Sequence, residues 1–420
     1  MKNCRVIPMV FALVVAFAPA AIATNGYFLH GIGTASKAMA GATVALPLEA
    51  LDADTNPAAG VFVPHGHSFS LGLFNPGRQY TITGNPSGMP QTFGLTPGTV
   101  TSKSNYFPMP AVGFNFRPNV GNALTVNFTA HGGMNTDYRT NTFYGSHHTG
   151  VDLSQMFLST TYSRKITRNQ SLGISAIIAE QRFKATGLEA FAGFSSAPSS
   201  LTGNGFKWSH GLGVKVGYFA QPLPKLSVGA SFSPPITMSK FDSYSGLFAD
   251  GGRFNIPASF TAGLAYKIAD PMTVTADYQR IHYSDVGSVG NSFLPNLMTA
   301  PLGAVGGAGF GWIDINVYKL GLRWKASDLW TWRGGYAKTN QPIPQSEVLF
   351  NILAPGVVQQ HLTLGFSKGM EHSRGRFNVA AMYAPANTVR GFNPLEVPGG
   401  QQIELKMHEY ELEFGYSFGF

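Results

Sequence analysis

The sequence has almost no cysteine. Cys4 is the single cysteine among 420 residues, and it lies before the apolar run of the N-terminus, whereas a lipid-modified cysteine would lie after it. Disulfides, thiolate metal sites and cysteine nucleophiles are therefore excluded for the chain beyond this residue.

Charge is also scarce, since Asp, Glu, Lys and Arg together make up 12% of the residues. This is about half of the share that a soluble domain carries. Basic residues stand singly among aromatic residues, and no run of five or more like charges occurs. No nucleic-acid partner is therefore expected.

Long apolar runs are missing as well. Beyond the N-terminus no stretch reaches the roughly 18 apolar residues that a membrane helix needs. If the chain lies in a membrane, it must cross it with strands. The 50 glycines and the 13% of aromatic residues fit a barrel, in which aromatic residues form girdles at the membrane interfaces and glycine suits a crowded interior.

The N-terminus has the pattern of a secretory signal. Lys2 and Arg5 give a positive start, residues 6–17 are almost wholly apolar, and Ala21-Ile22-Ala23 is a small-x-small cleavage pattern. Residues 1–23 are therefore expected to be a signal peptide, and the mature chain is expected to begin near Thr24.

The clearest strand pattern is at the C-terminus, from Glu404 to Phe420. Aromatic and apolar side chains alternate there with Glu, Gly and Ser, which predicts one face toward lipid and one toward a polar lumen. The chain ends on Phe420, which resembles the recognition signal of bacterial outer-membrane barrels. Contact with the barrel assembly machinery through this strand is therefore expected.

Similar alternation recurs along the chain, and the links between strands are alternately short and long. Six short and seven long links join about fourteen strands, an even number, as closure requires. The sequence therefore predicts an all-β fold, a transmembrane antiparallel β-barrel over residues 61–420.

The segment from Thr24 to Gly60 does not fit the strand pattern. It is rich in Gly and Ala and has too few large apolar residues to form a core of its own. We expect residues 24–60 to form a small hatch inside the barrel.

Several motifs resemble one family. Gly31-Ile32-Gly33, Ala40-Gly41-Ala42 and Asn56-Pro57-Ala58 are similar to the hatch of the FadL-type long-chain fatty acid and hydrocarbon transporters of Gram-negative outer membranes. Later stretches add to the resemblance, namely residues 240–248, 256–266, 332–336 and 342–344. The resemblance implies a fourteen-stranded barrel, an N-terminal hatch, and passive uptake of hydrophobic molecules with a sideways exit at a kinked third strand.

The resemblance also suggests functional residues. The hatch residues expected at the ligand are Thr24, Asn25, Gly26, Tyr27 and Phe28, although Tyr27 and Phe28 could instead pack the hatch against the wall. An outer groove on the external loops would use Leu188, Phe191, Phe194, Leu247 and Phe248, which could also simply pack the loops together. The lateral opening would fall at His131, Gly132 and Gly133, where two glycines inside a strand pattern indicate a bulge.

Other residues are given structural roles. Gly31, Gly33 and Gly41 permit close backbone contact, and Asn56-Pro57 favours a turn that leads from the hatch toward the first strand.

Lys319, Arg323 and Lys325 share one predicted lumenal face, where they could bind a carboxylate or pair with acidic residues of neighbouring strands.

No cofactor is expected, and neither His65-x-His67 nor His147-His148 has the further ligands of a metal site. The expected partners are a hydrophobic small molecule as the ligand, and the lipid and lipopolysaccharide of the outer membrane. The protein is expected to be a monomer. A general diffusion porin is the alternative, and a barrel enzyme is a third hypothesis that lacks an organised Ser and His pair.

Overall fold

The computed structural model describes residues 25–371 and 373–419. The expected signal peptide (residues 1–23), Thr24 and Phe420 lie outside the described residues. The described chain forms one sheet of fifteen strands: β1 (Gly66–Thr83), β2 (Gly98–Thr101), β3 (Phe107–Asn119), β4 (Asn122–Asp137), β5 (Gly150–Thr167), β6 (Gln170–Thr186), β7 (Lys207–Leu223), β8 (Leu226–Ser233), β9 (Ser259–Ala269), β10 (Met272–Ile281), β11 (Ile315–Lys325), β12 (Trp330–Thr339), β13 (Gln360–Gly369), β14 (Gly375–Phe392) and β15 (Gln402–Gly419).

The sheet closes on itself. From β3 onward each strand pairs with the next in antiparallel fashion, β1 pairs with β3, and β15 returns to pair with β1 from Gly66↔Gly419 to Thr83↔Gln402. The four-residue β2 pairs with the far end of β1 alone. The described wall therefore has fourteen strands, which confirms the expected barrel.

Side-chain burial follows the period-two pattern of the sequence. In β15, Tyr410, Leu412 and Phe414 are between 44% and 50% exposed, while Glu409, Glu411 and Glu413 are at most 5% exposed. Apolar residues thus form the outer surface and carboxylates face the lumen. The predicted alternation of the last strand is confirmed.

Short turns join the strands at one end of the barrel and long loops at the other. Two long strands contain proline, since β1 runs through Pro76 to Thr83 and β14 runs through Pro385 to Phe392. Pro76 lies beyond the part of β1 that pairs with β3, and Pro385 lies in a register shift between Ala384 and Asn387. Proline is tolerated at such positions because no ladder hydrogen bond is lost.

Helices are short in this chain. The α-helical turns are Thr34–Lys37, Asp52–Thr55, Ala249–Gly252, Gly287–Gly290 and Asn296–Thr299, and the 3-10 turns are Pro57–Val61, Glu189–Phe194, Pro198–Ser200, Asp242–Tyr244, Tyr283–Asp285, Gln345–Glu347 and Phe350–Ile352. Over the described ranges, none of the helices is long and apolar enough to cross a membrane.

Candidate functional site

Residues 25–60, which we call the hatch, lie inside the barrel and are almost wholly buried. Their two α-helical turns are too short to satisfy their own backbone groups, and the wall supplies partners. Thr363 Oγ1 accepts a hydrogen bond from Ala40 N at 2.9 Å, and Asp277 Oδ2 accepts one from Val44 N at 2.9 Å. The hatch is therefore docked on the polar lumenal face that the strand pattern predicts.

One buried ion-pair group joins the hatch to the last strand. Lys37 Nζ lies 2.5 Å from Glu411 Oε1 and 2.5 Å from Glu413 Oε2, and Thr34 Oγ1 donates to Glu413 Oε1 at 2.9 Å. Burial alone would lower the pKa of the Lys37 ammonium, but the two carboxylates outweigh it and hold that pKa above its ordinary value. Lys37 therefore stays charged and fixes this end of the hatch.

Glycine permits two hatch segments to cross. Gly41 has φ +75°, and a Cβ there would lie 1.9 Å from the carbonyl oxygen of His30. A Cβ on Gly31 would lie 3.0 Å from the Cα of Gly41, and Gly33 also has a positive φ, +82°. All three glycines thus occur where the backbone is crowded or left-handed.

Replacement of Gly41 is expected to loosen the hatch. In Gly41→Ala the left-handed backbone costs about 1–2 kcal/mol, and the added methyl also meets the His30 carbonyl. In planar bilayers we expect larger and more variable ion currents than the intact protein gives. Gly400→Ala is the matched control, because Gly400 has φ +59° with open space around it; equal currents from both variants would contradict the docking described here.

Asn56 and Pro57 shape the exit from the hatch. Asn56 Oδ1 accepts from Ala58 N at 3.0 Å, and its Nδ2 donates to Val44 O at 2.8 Å and Tyr218 O at 2.9 Å. Pro57 opens the 3-10 turn Pro57–Val61, and β1 begins five residues later at Gly66. The turn thus leads into a short helix rather than directly into the first strand.

The third wall strand, β4, carries an irregularity at the expected position. Its pairing with β5 shifts register between Ala130 and Gly132, so that His131 is the extra residue. The alternation of exposed and buried residues also ends there, since residues 132–136 are all buried. Beyond the bulge, both faces of β4 are therefore covered by other parts of the protein.

The same strand leaves its other neighbour. Pairing between β3 and β4 stops at Ala111↔Thr129, although β3 continues to pair with β1 as far as Phe107. The part of β3 that pairs with β1 but not with β4 contains Pro108 and Pro110. Their spacing places two missing N–H donors on the same strand edge. The wall therefore has a gap between β3 and β4 on the long-loop side of the bulge.

The start of the hatch lies directly on this bulge. Leu29 N donates to His131 O at 3.4 Å, and Gly133 N donates to Tyr27 O at 3.0 Å. A Cβ on Gly132 would lie 2.2 Å from Tyr27 O, so the close approach requires glycine. The structure thus brings together two sets of residues that the sequence analysis proposed separately.

The 3-10 turn Tyr283–Asp285, which follows β10, holds the same segment. The Tyr283 hydroxyl donates to Asn25 O at 2.6 Å and accepts from Tyr27 N at 3.1 Å. A Cβ on Gly26, which has φ +72°, would lie 2.7 Å from this ring. Asn25, Gly26 and Tyr27 are therefore fixed between the bulge and Tyr283.

A continuous series of ring contacts connects the external loops with the bulge, and we call it the aromatic column. Neighbouring ring centroids lie between 3.7 and 5.9 Å apart. Its members, in order, are Phe248, Phe254, Tyr27, Phe28, His131 and Phe157. Aromatic rings thus contact one another from a long loop, through the hatch, to the edge of the gap.

Four of the five predicted groove residues on the external loops belong to the same hydrophobic core as Tyr27 and Phe28, and Phe194 is the exception. Leu188 and Phe191 are at most 1% exposed, Leu247 and Phe248 are at most 4% exposed, and Phe194 is 36% exposed. The rings around Phe191 are those of Phe93, Phe143, Phe293 and Phe350. The loops pack together over the barrel with the rings of Phe191 and Phe248 buried and that of Phe194 exposed. A role of these residues in ligand capture stays a prediction.

The basic strand face separates into three environments. Lys319 is buried and donates to His30 O at 3.0 Å, whereas Lys325 pairs with Asp328 at 2.7 Å in an exposed turn. Arg323 faces a cavity at the short-turn end. Within the described ranges, no group of three or more His, Cys, Asp or Glu side chains is arranged to hold a metal ion.

Sequence reasoning missed several residues of this site. Phe254, Tyr283 and Trp312 all contact the Tyr27 ring, but no motif marked them because they belong to long loops far away in the chain. Pro108 and Pro110 did carry a signal, since prolines two residues apart in a strand remove donors from one edge.

The family model described as "Outer membrane protein transport protein (OMPP1/FadL/TodX)" matches residues 11–367. The chain belongs to this family. As an OMPP1/FadL/TodX protein it lies in the outer membrane of a Gram-negative bacterium, and its family consists of transport proteins rather than enzymes. The resemblance drawn from the sequence motifs is confirmed, and membership argues against the general diffusion porin.

Solved structures of similar proteins support the fold of this family member. The toluene transporter TodX of Pseudomonas putida is 19% identical over 94% of this chain and 100% of that chain, with a TM-score of 0.66. A FadL homologue of Pseudomonas aeruginosa is 16% identical over 93% of this chain and 98% of that chain, with a TM-score of 0.66. The toluene transporter TbuX of Ralstonia pickettii is 17% identical over 93% of this chain and 99% of that chain, with a TM-score of 0.61. No curated protein gives a sequence match to the chain.

Proposed function

We propose that this protein takes up hydrophobic compounds, long-chain fatty acids or related hydrocarbons, by passive transport through a plugged barrel with a lateral exit. The observation that carries the proposal is the contact between the hatch start and the bulge of β4, where Tyr27 O and Gly133 N are 3.0 Å apart. This contact lies beside the gap that the end of the β3–β4 pairing leaves in the wall.

The aromatic column supports a route for the ligand. Phe248 lies on a long loop, Phe254 follows it, and Tyr27 continues the ring contacts into the hatch. A water-filled pore offers a hydrophobic solute no favourable contact, whereas exchangeable ring contacts of modest strength permit both entry and release. The ligand would replace ring contacts one after another and move toward Phe28 and His131.

The gap supports a sideways exit. A solute that reaches the bulge leaves between β3 and β4 into the hydrocarbon layer, where apolar surface is favoured over water. Such an exit needs no passage through the hatch, which the ion pairs of Lys37 hold in place. Small movements of residues 25–28 would be sufficient to expose the gap from inside.

Competitive uptake tests the proposal. Cells that lack the protein are complemented with this chain, and the uptake of a labelled long-chain fatty acid is compared with that of toluene. We expect protein-dependent uptake of at least one of them, and reduced uptake in Phe254→Ala, which interrupts the aromatic column. Phe366→Ala is a matched control, because its ring packs on Trp330 and Trp332 instead.

The opposite result is equally clear. If uptake of both compounds is the same with and without the protein, the proposal is wrong. If Phe254→Ala and Phe366→Ala behave alike while uptake depends on the protein, the route through the aromatic column is wrong.

A further inference from the structure

A cavity of about 570 Å³ opens below the hatch at the short-turn end of the barrel. It is bounded by the hatch on one side and by the ends of β11 to β15 on the other. Four arginine side chains line it, namely those of Arg323, Arg333, Arg374 and Arg376. We call it the arginine vestibule, and the transport route proposed above does not use it.

The strand register places two of these arginines directly opposite each other. Arg323 of β11 pairs with Arg333 of β12, and both point into the lumen because Leu322, Trp324 and Trp332 occupy the outer face. Directly opposed residues have Cβ atoms about 4.5–5.5 Å apart, and like charges at this spacing are destabilising. A bound anion would remove this repulsion.

Arg333 is the deepest of the four. Its side chain is 4% exposed, and its Nη1 donates to Ser367 Oγ at 2.6 Å. Among the described residues its Nε has no hydrogen-bond partner, and the Nε of Arg323 has none either. Buried guanidinium N–H groups normally have partners, so these two donors are available to an oxygen atom that the protein itself does not supply.

Negative charge reaches the vestibule from the hatch, where the carboxylates of Glu49 and Asp52 both interact electrostatically with Arg333. Glu49 of the hatch and Asp328 are the carboxylates of its lining. Glu49 accepts a hydrogen bond from Ala35 N at 3.3 Å, and Asp328 pairs with Lys325. Among the described residues, no carboxylate oxygen lies within 4.0 Å of a nitrogen of these four arginines, so none of them has a direct ion pair.

We propose that the arginine vestibule is a binding site for a multivalent oxyanion of the phosphate class, which enters from the short-turn side of the barrel. Guanidinium groups match phosphate oxygens with paired N–H donors, and four cations favour a doubly charged group over a single carboxylate. The Ser417 hydroxyl lines the same cavity and accepts from Asn378 Nδ2 at 3.3 Å, so its own O–H can serve as a neutral donor, whereas the Ser367 hydroxyl already donates to Asn378 Oδ1.

Titration calorimetry with sodium pyrophosphate tests this assignment. The protein is purified in an uncharged detergent, and we expect saturable binding that weakens as salt is raised. Arg333→Gln and Arg376→Gln should each weaken binding by about tenfold or more, since a charged hydrogen-bond donor is lost. Arg168→Gln should leave binding unchanged, because Arg168 is exposed on another short turn and does not line the cavity.

The source of the phosphate is distinguished in a second arm. Nanodiscs with phosphatidylglycerol are compared with nanodiscs of phosphatidylcholine. Competition of the anionic lipid with pyrophosphate supports a lipid headgroup as the oxyanion, and absence of competition supports a free phosphate compound. Tighter binding of polyglutamate than of pyrophosphate would overturn the proposal in favour of an acidic protein segment.

Two further results would also overturn it. One is the absence of binding heat with wild-type protein at millimolar pyrophosphate. The other is equal binding by wild type, Arg333→Gln and Arg376→Gln. Each variant is first shown to be folded, because a folded barrel migrates faster in a detergent gel when the sample is not heated than when it is heated. If the buried Arg333 is needed for assembly, Arg376→Gln still tests the proposal.

Discussion

A variant that lacks His131 and has valine in place of Pro108 and Pro110 is expected to lose protein-dependent uptake. Deletion of His131 makes the β4–β5 register continuous, because Ala130 already pairs with Met156 and Gly132 with Gln155. Pro108→Val and Pro110→Val restore the two N–H donors of β3. The sealed wall would then offer no opening between β3 and β4, and uptake should fall to the level of cells without the protein.

The control for this variant is deletion of Gly88. Gly88 lies in a loop with φ +69° and open space around it, so that the loss of one residue there leaves the wall unchanged. Uptake by the Gly88 deletion should equal that of the intact protein. A sealed variant that is folded and still takes up substrate at the normal rate would contradict the lateral exit.

The second large effect is expected at Lys37. In Lys37→Met the carboxylates of Glu411 and Glu413 stay buried but lose the ammonium that lies 2.5 Å from each of them. Loss of one partner of a buried ion pair destabilises by about 3–5 kcal/mol. The hatch should undock, so that ion conductance in planar bilayers rises and a protease added to the bilayer removes residues of the hatch.

Replacement of Lys37, Glu411 and Glu413 together separates the effect of uncompensated buried charge from the effect of lost packing at Lys37. The triple variant Lys37→Met, Glu411→Gln and Glu413→Gln removes the uncompensated charge, and its conductance should return most of the way to that of the intact protein. A triple variant as leaky as Lys37→Met would show that the shape of Lys37, rather than its charge, keeps the hatch docked.

The barrel was predictable because its signals are local. Alternation in β15 follows directly from lipid on one face and a polar lumen on the other, and it needs no knowledge of distant residues. The glycines of the hatch were similarly informative, since Gly41 is crowded by His30, its neighbour in the same segment.

The interior of the candidate site depends on contacts across the chain. Lys37 and Glu411 are 374 positions apart, and either residue alone has the sequence appearance of an ordinary charged side chain. The rings of Phe254, Tyr283 and Trp312 come from long loops whose backbone course no local pattern specifies. The bulge in β4 was suggested by two glycines, but the matching gap became visible only from the register of β3.

A reversible staple across this gap tests the central claim most directly. The scarcity of cysteine permits it, because no cysteine follows Cys4. If the β3–β4 register continued, position 110 would oppose position 130, and Pro110→Cys with Ala130→Cys would link the strands on oxidation. The matched control is Val112→Cys with Phe128→Cys, which staples a pair inside the intact ladder.

Uptake is measured in the same cells before oxidation, after oxidation and after reduction, with disulfide formation followed on gels. The lateral exit predicts that oxidation of the 110–130 pair stops uptake, that reduction restores it, and that the 112–128 pair has no effect. Uptake that continues unchanged when the 110–130 disulfide has formed completely would contradict it.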